Sequence, residues 1–328
     1  MVNIALLGCG RIGQVHARAI KDNPDATVTA VADAMPAAAE ALAAKSGAEV
    51  RGIEDIMASA DVDAVVIGTP TTTHYDLIHL AAKAGKAIFC EKPVDLSSQR
   101  ILECIKVVEH NGVPFMTAFN RRFDPNFAAL QARIAAGDIG QVELVTILSR
   151  DPSPPPIEYI KTSGGLFRDM MIHDLDMARF LLSEDPISIH AVGSCMVDPA
   201  IKAAGDVDTA AVTLTTKSGA ICQISCSRRA TYGYDQRIEV HGAGGMLRAH
   251  NQLENTVEFA SGSGFAAAPA QNFFLERYEQ AYAAEMASFV AALKESRTLH
   301  PGIRDGLKAQ QLADAANESM TTGMPITL

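Results

Sequence analysis

"NIALLGCGRIGQVHARAIKDNPDATVTAVAD", residues 3–33, decides the fold. Asn3–Leu7 is a short apolar run of the kind buried on both faces of a parallel sheet. Gly8-Cys9-Gly10-Arg11-Ile12-Gly13 follows at once, then a helix near Ile12–Lys21 and a second strand, Thr27–Ala32, ending at Asp33. A bare G-x-G-x-x-G is common; strand, turn, helix and strand in this order make a dinucleotide-binding βαβ unit. Gly8 permits the tight turn, Gly10 lets the backbone approach a pyrophosphate, and Gly13 lets helix and sheet pack closely. The helix start, carrying Arg11 and Ile12, offers backbone N–H groups to the phosphates. Asp33 stands 25 residues after Gly8, where its carboxylate accepts from a ribose diol and repels a 2′-phosphate. The expected cofactor is therefore NAD rather than NADP. The plainer reading, a phosphate-free turn with a solvated Asp33, does not explain the full strand–turn–helix context.

Further α/β units follow. Asp63–Ile67 reads as a strand, Gly68–Thr73 as the loop at its carboxyl end and His74–Lys83 as a helix. Lys86–Cys90 is the next strand, closed by Glu91-Lys92-Pro93, with a helix near Ser97–His110 and a strand at Pro114–Phe119. Ligands of open α/β sheets collect beyond such strand ends, which makes Thr69, Thr71, His74, Glu91 and Lys92 candidate cofactor contacts. Thr71 and its neighbours also suit a helix cap, and His74 a cap-proximal surface histidine, with an indirect role at most. Lys92 is restricted by the proline after it. A cation held rigidly there can bind a substrate hydroxyl and stabilise a developing oxyanion. A surface lysine weakly paired with Glu91 is the alternative.

Of the 328 residues, 48% are hydrophobic, enough for a large core, and the length suggests two domains. The net charge of −10 argues against a nucleic-acid surface, while backbone amides still serve an anionic cofactor. Six cysteines are scattered with no Cys-x-x-Cys pair, as expected of thiols in a reducing compartment. No targeting segment or membrane-spanning apolar run is visible, so a cytoplasmic protein without membrane partners is expected.

After Phe119 the pattern changes. Strands follow in series near 187–197, 209–216, 220–228, 235–241, 246–250 and 255–260, with no crossover helix between them. Ser261–Ala270, rich in small residues, reads as a loop. The expected fold is an α/β Rossmann dinucleotide-binding domain over 1–120 plus an α+β domain over 121–328. The second domain carries a large, mostly antiparallel open sheet. That sheet is a candidate oligomer surface, and the last helix, near 303–319, a candidate to pack back on the first domain.

"GGLFRDMMIHDLDMARFLL", residues 164–182, reads as one helix with Asp169, His173 and Asp176 in a sector of roughly 60°. Three readings stay open on the residues alone. Asp169 can complement a helix N-terminus while His173 sits in the core. The pair can ligate a metal, although further ligands at suitable spacing are missing. Or His173 can take a hydroxyl proton in a redox reaction while Asp169 holds substrate or histidine.

Gly8-x-Gly10-x-x-Gly13, Glu91-Lys92-Pro93 and Gly164-Gly165 followed by Asp169-x-x-x-His173 together resemble the glucose–fructose oxidoreductase / inositol dehydrogenase family over essentially the whole chain. The resemblance implies that Lys92 orients the reacting hydroxyl, Asp169 binds substrate and His173 is the catalytic base. It adds Arg122 of "FNRRFDP" and Tyr234 of "TYGYDQRIEVHG" as substrate-pocket candidates, beside Tyr159, which follows the proline-rich Pro152–Pro156 connector. It implies oxidation of a ring hydroxyl of a polyol or sugar, nearest to myo- or scyllo-inositol, with NAD, no metal and a homodimer or homotetramer. Aldose or anhydrosugar oxidation with NAD(P), a retained nicotinamide, and a non-catalytic NAD sensor are the alternatives. The stiff, weakly polar Pro152–Pro156 stretch departs from what a polyol site suggests.

Overall fold

The computed structural model describes all 328 residues, Met1–Leu328. The chain begins β1 (Val2–Leu7), α1 (Arg11–Lys21), β2 (Ala26–Ala32), α2 (Pro36–Ser46), β3 (Glu49–Val50), α3 (Ile53–Ala58), β4 (Ala64–Ile67), α4 (His74–Lys83), β5 (Ala87–Cys90), α5 (Ser98–Asn111) and β6 (Phe115–Thr117). It continues α6 (Pro125–Ala135), β7 (Val142–Arg150), α7 (Ile157–Ser163), α8 (Gly165–Asp169), α9 (Ile172–Leu182), β8 (Pro186–Ser194), α10 (Pro199–Ala203), β9 (Thr209–Thr216), β10 (Ile221–Ser227), β11 (Asp235–Gly242) and β12 (Gly245–Ala249). The remainder is β13 (Glu258–Ser261), β14 (Gly264–Ala267), α11 (Phe274–Arg277), α12 (Glu279–Lys294), α13 (Ile303–Thr322) and β15 (Ile326–Thr327). Two compact units result: Met1–Phe123 with Gln280–Gln311, and Asp124–Glu279 with Leu312–Leu328.

The first unit is a parallel sheet in the order β3-β2-β1-β4-β5-β6, the doubly wound dinucleotide-binding order. Its strands are apolar on both faces because helices cover both. Ile4, Leu6, Val66 and Phe89 pack with Ile20 of α1 and Met286 and Phe289 of α12. Ala5, Leu7, Val65 and Ile67 pack with Ile78 of α4, Ile101 of α5 and Leu307 of α13.

The second unit holds a sheet in the order β12-β11-β7-β10-β9-β8-β15. Only the β7–β10 pairing is parallel. The registers put Val145, Ile147, Ile189, Val212, Leu214, Cys222, Ile224, Ile238 and Val240 on one buried face. Thr146, Val192, Ala211, Thr213, Gln223 and Glu239 lie on the other. The strand expected at 255–260 does not join this sheet. β13 pairs only with β14, through a two-residue turn at Gly262-Ser263, inside the stretch expected to be a loop. Small residues carry no strand signal of their own; backbone pairing from Glu258↔Ala267 to Ser261↔Gly264 makes the hairpin. No helix is long and apolar enough to cross a membrane.

Asp208, fully buried before β9, anchors the preceding loop. Its carboxylate accepts from the N–H groups of Met196 (2.8 Å), Val197 (2.8 Å) and Asp198 (3.2 Å), and from the Cys195 thiol (3.1 Å). Burial raises its pKa, but these donors outweigh burial and hold it at about 2. A depressed carboxyl stabilises the fold above its unfolded pKa, about 3.9, and that contribution is lost as pH falls through about 2. Asp208→Asn turns an amide N–H toward backbone donors and is expected to cost about 2 kcal/mol in urea unfolding at pH 7. The gap to the wild type should narrow as pH falls from 4 to 2; a gap that stays constant would remove the ionised carboxylate as the cause.

Candidate functional site

The first unit builds a cofactor turn. Gly8 has φ +100°, and a Cβ there would lie 2.6 Å from the Gly68 carbonyl carbon. A Cβ on Gly13 would meet the Gly8 carbonyl oxygen at 2.0 Å. A Cβ on Gly10 would have nothing within 4 Å, so that edge of the turn is open to a ligand. Gly10 is also the N-cap of α1, with no side-chain cap and no acidic residue in the first turn, which leaves N–H groups suited to a pyrophosphate. Asp33 holds the turn from the end of β2: its Oδ2 accepts from Cys9 N–H at 2.6 Å and its Oδ1 from Met35 N–H at 2.8 Å. The residues present therefore fit an NAD diphosphate and ribose.

The Lys92 turn lies at the end of β5 in the same unit, and the Lys92–Pro93 peptide is cis. Lys92 is half-buried between two better-buried neighbours. Glu91 meets His16 Nε2 at 2.8 Å through Oε1 and accepts from Lys92 N–H at 3.2 Å through Oε2. His74 is 1% exposed, with Nδ1 at 3.0 Å from the Pro93 carbonyl and Nε2 at 2.9 Å from the Thr69 carbonyl. Burial pushes its pKa down, against the pull of both carbonyls. Both ring nitrogens thus face backbone carbonyls, and His74 sits between the Thr69 loop and the Lys92 turn, the neutral ring donating to one of them. Thr69 accepts a 2.7 Å hydrogen bond from Thr73, and Thr71 opens a single 3₁₀ turn before α4. Arg122, also in this unit, pairs with Asp305 at 3.0 Å.

The second unit carries Asp169 and His173, but not on one helix. The stretch from 164 to 182 splits into α8 and α9 at Met170-Met171. The N–H groups of Met170 and Met171 both donate to the Leu166 carbonyl, at 3.1 and 2.9 Å, so the ladder slips by one residue. The ideal-helix alignment of Asp169, His173 and Asp176 does not survive this. Asp176 is fully buried, whereas Asp169 and His173 are half-buried. Asp169 Oδ1 accepts from the Tyr159 hydroxyl at 2.8 Å, and its Oδ2 lies 3.3 Å from the Arg228 guanidinium. Tyr234 is buried with its ring edge-on to Tyr278, centroids 5.8 Å apart.

Comparison with known proteins identifies this arrangement. Residues 2–119 match the oxidoreductase family with an NAD-binding Rossmann fold, and residues 127–248 match the GFO/IDH/MocA C-terminal domain. The chain is 55% identical over 327 residues to an inositol 2-dehydrogenase of Rhizobium meliloti, covering 100% of this chain and 99% of that protein. The chain belongs to the GFO/IDH/MocA family. It is an NAD-dependent oxidoreductase. A crystal structure of a myo-inositol dehydrogenase from Corynebacterium glutamicum matches with TM-score 0.96 and 43% identity, over 100% of this chain and 99% of that one. One of scyllo-inositol dehydrogenase from Lactobacillus casei with NAD(H) and scyllo-inositol matches with TM-score 0.93 and 29% identity, over 100% and 99%.

Sequence reasoning missed three residues of this GFO/IDH/MocA member. His16 lies on the buried face of α1 with Gly13, Ala17 and Ile20, a helical spacing that marks it as inward. Arg228 follows β10, where alternation buries Cys222, Ile224 and Cys226, so its parity also points inward. Asp206, near Arg228, carries no local signal.

The clash at position 13 gives a test of the cofactor turn. Gly13→Ala is expected to lower stability by about 2 kcal/mol or more and to weaken NAD binding at least about tenfold by calorimetric titration. Unchanged NAD affinity would show that the turn does not hold the cofactor.

Proposed function

We propose that this oxidoreductase converts a ring secondary hydroxyl of a cyclic polyol, myo- or scyllo-inositol, to a ketone. The observation that carries this reading is the end-to-end similarity to an inositol 2-dehydrogenase at 55% identity. The chemistry of the residues supports it. NAD supplies the acceptor for the hydride that leaves the carbinol carbon. His173 takes the hydroxyl proton, so that hydride and proton together account for the two hydrogens lost. Lys92 donates a hydrogen bond to the reacting oxygen and stabilises its developing charge. Asp169, carrying the Tyr159 hydroxyl, accepts from another ring hydroxyl, and Arg122 and Tyr234 belong to the pocket and its support. Asp33 opposes a 2′-phosphate and makes NAD the better substrate than NADP.

We also propose that copies of the chain assemble as a dimer or tetramer through the open face of the large sheet. That face exposes Val192, Ile221 and Met246, with charged Arg237, Glu239 and Arg248 gathered on β11 and β12. Light scattering on the purified protein should give two or four chain masses; a monomer at micromolar concentration would refute the assembly.

The activity test follows reduced nicotinamide near 340 nm with NAD or NADP and a panel of myo-inositol, scyllo-inositol, glucose, other aldoses and an anhydrosugar. Formation of NADH with an inositol, faster than with NADP, is the expected result. A signal only with another sugar would keep the oxidoreductase and replace the substrate. His173→Ala should lower kcat at least about a thousandfold while leaving NAD affinity within about twofold. Turnover near wild type would remove His173 as the base.

A further inference from the structure

Asp169 is the last residue of α8, and α8 has five residues. A helix of little more than one turn does not hold itself in water. Its two ends are instead tied to one buried cation. At the start, Leu166 N–H donates to Asp206 Oδ1 at 3.0 Å. Gly165 lies so close that a Cβ there would meet the same oxygen at 2.8 Å, and its φ is +83°. At the end, Asp169 Oδ2 lies 3.4 and 3.3 Å from Arg228 Nη1 and Nη2. The circuit closes through Asp206 Oδ2, 3.7 Å from Arg228 Nη2. The Arg228 side chain is 1% exposed, and those of Asp169 and Asp206 are 12% and 11% exposed.

A guanidinium taken out of water needs carboxylates around it, and its planar fork fixes where they sit. Asp206 balances the charge from the side of the α8 start, so Arg228 is held between the two ends of the helix. Its contacts with Asp169 are longer than those of a saturated charge-assisted pair, about 2.7–2.9 Å. Arg228 thus steers the Asp169 carboxylate without closing on it, and Tyr159 restrains the other oxygen.

We propose that Arg228, with Asp206 as its second carboxylate neighbour, is a positioning residue that sets the orientation of Asp169 for substrate. This rests on the proposed role of Asp169 in binding a substrate hydroxyl. Arg228 touches neither substrate nor cofactor in this scheme and acts only through Asp169.

The test compares the full-length wild type with Asp169→Asn, Arg228→Gln, Arg228→Lys, Asp206→Asn and the Asp169→Asn/Arg228→Gln double variant. Each is assayed with the most rapidly oxidised compound of the panel above, and NAD affinity is measured by calorimetric titration. Arg228→Gln should lower kcat/KM about ten- to a hundredfold with NAD affinity within about twofold. In the Asp169→Asn background the same change should remove less than about threefold more. Arg228→Lys, which keeps the charge but not the fork, should fall between. Asp206→Asn, which retains Arg228 and an acceptor for Leu166 N–H, should lose about three- to tenfold and carries the test if Arg228→Gln does not fold. An inactive Asp169→Asn beside fully active Arg228→Gln and Asp206→Asn would overturn the inference alone, as would losses that multiply in the double variant. A fully active Asp169→Asn would overturn the role of Asp169 itself and the inference with it.

Discussion

A close approach that only glycine allows underlies the cofactor-binding unit. The Cβ position of Gly13 lies 2.0 Å from the Gly8 carbonyl oxygen, and that of Gly8 lies 2.6 Å from Gly68. These contacts bring α1, the end of β1 and the loop after β4 together at one end of the sheet. Asp33 completes the closure by accepting from Cys9 N–H. One turn further along α1, His16 reaches Glu91 beside Lys92. The helix whose uncapped N-terminus suits a phosphate thus also contacts the lysine turn. A displacement of α1 would disturb both, because the same backbone carries Gly13 and His16.

The second unit meets its positioning problem by other means. Its sheet is broad, and Asp169 ends a one-turn helix that buries Leu166 and Phe167 but is too short to hold itself. Buried polar contacts supply the precision: Arg228 with Asp169 and Asp206, Gln236 with Asp174 at 3.1 Å, and Asp124 with Arg277. Asp124 also caps α6 through the N–H groups of Asn126 and Phe127, so one carboxylate serves a local and a distant contact. Such groups are costly to bury unless every partner is in place, which makes their geometry discrete rather than adjustable.

The fold was legible where periodicity and short motifs carry it. The βαβ unit from β1 to β2, the strand-end turns and the series of β8 to β12 all follow from apolar runs, alternation and glycine turns. β14 escaped because Gly264–Ala267 carries no apolar alternation, so the strand expected at 255–260, which covers most of β13, reads as part of the large sheet instead of a hairpin. The break between α8 and α9 escaped for a different reason. The stretch from 164 to 182 contains no internal proline or glycine after Gly165, so nothing local announces that both Met170 and Met171 donate to Leu166.

Asp169 and His173 could be singled out in the sequence as candidates, with roles implied only by the family resemblance, but their supports could not. Arg228 is 59 residues from Asp169, and His16 is 75 from Glu91. Contacts at that separation are set by how strands order themselves, not by any run of residues. One inference from alternation was nonetheless within reach. Cys222, Ile224 and Cys226 point into the helix-covered face, and Arg228 continues that parity. A cation aimed into a core must find carboxylates there, because its burial is otherwise prohibitive. The acidic residues of the helices covering that face were therefore the place to look, and Asp169 lies among them.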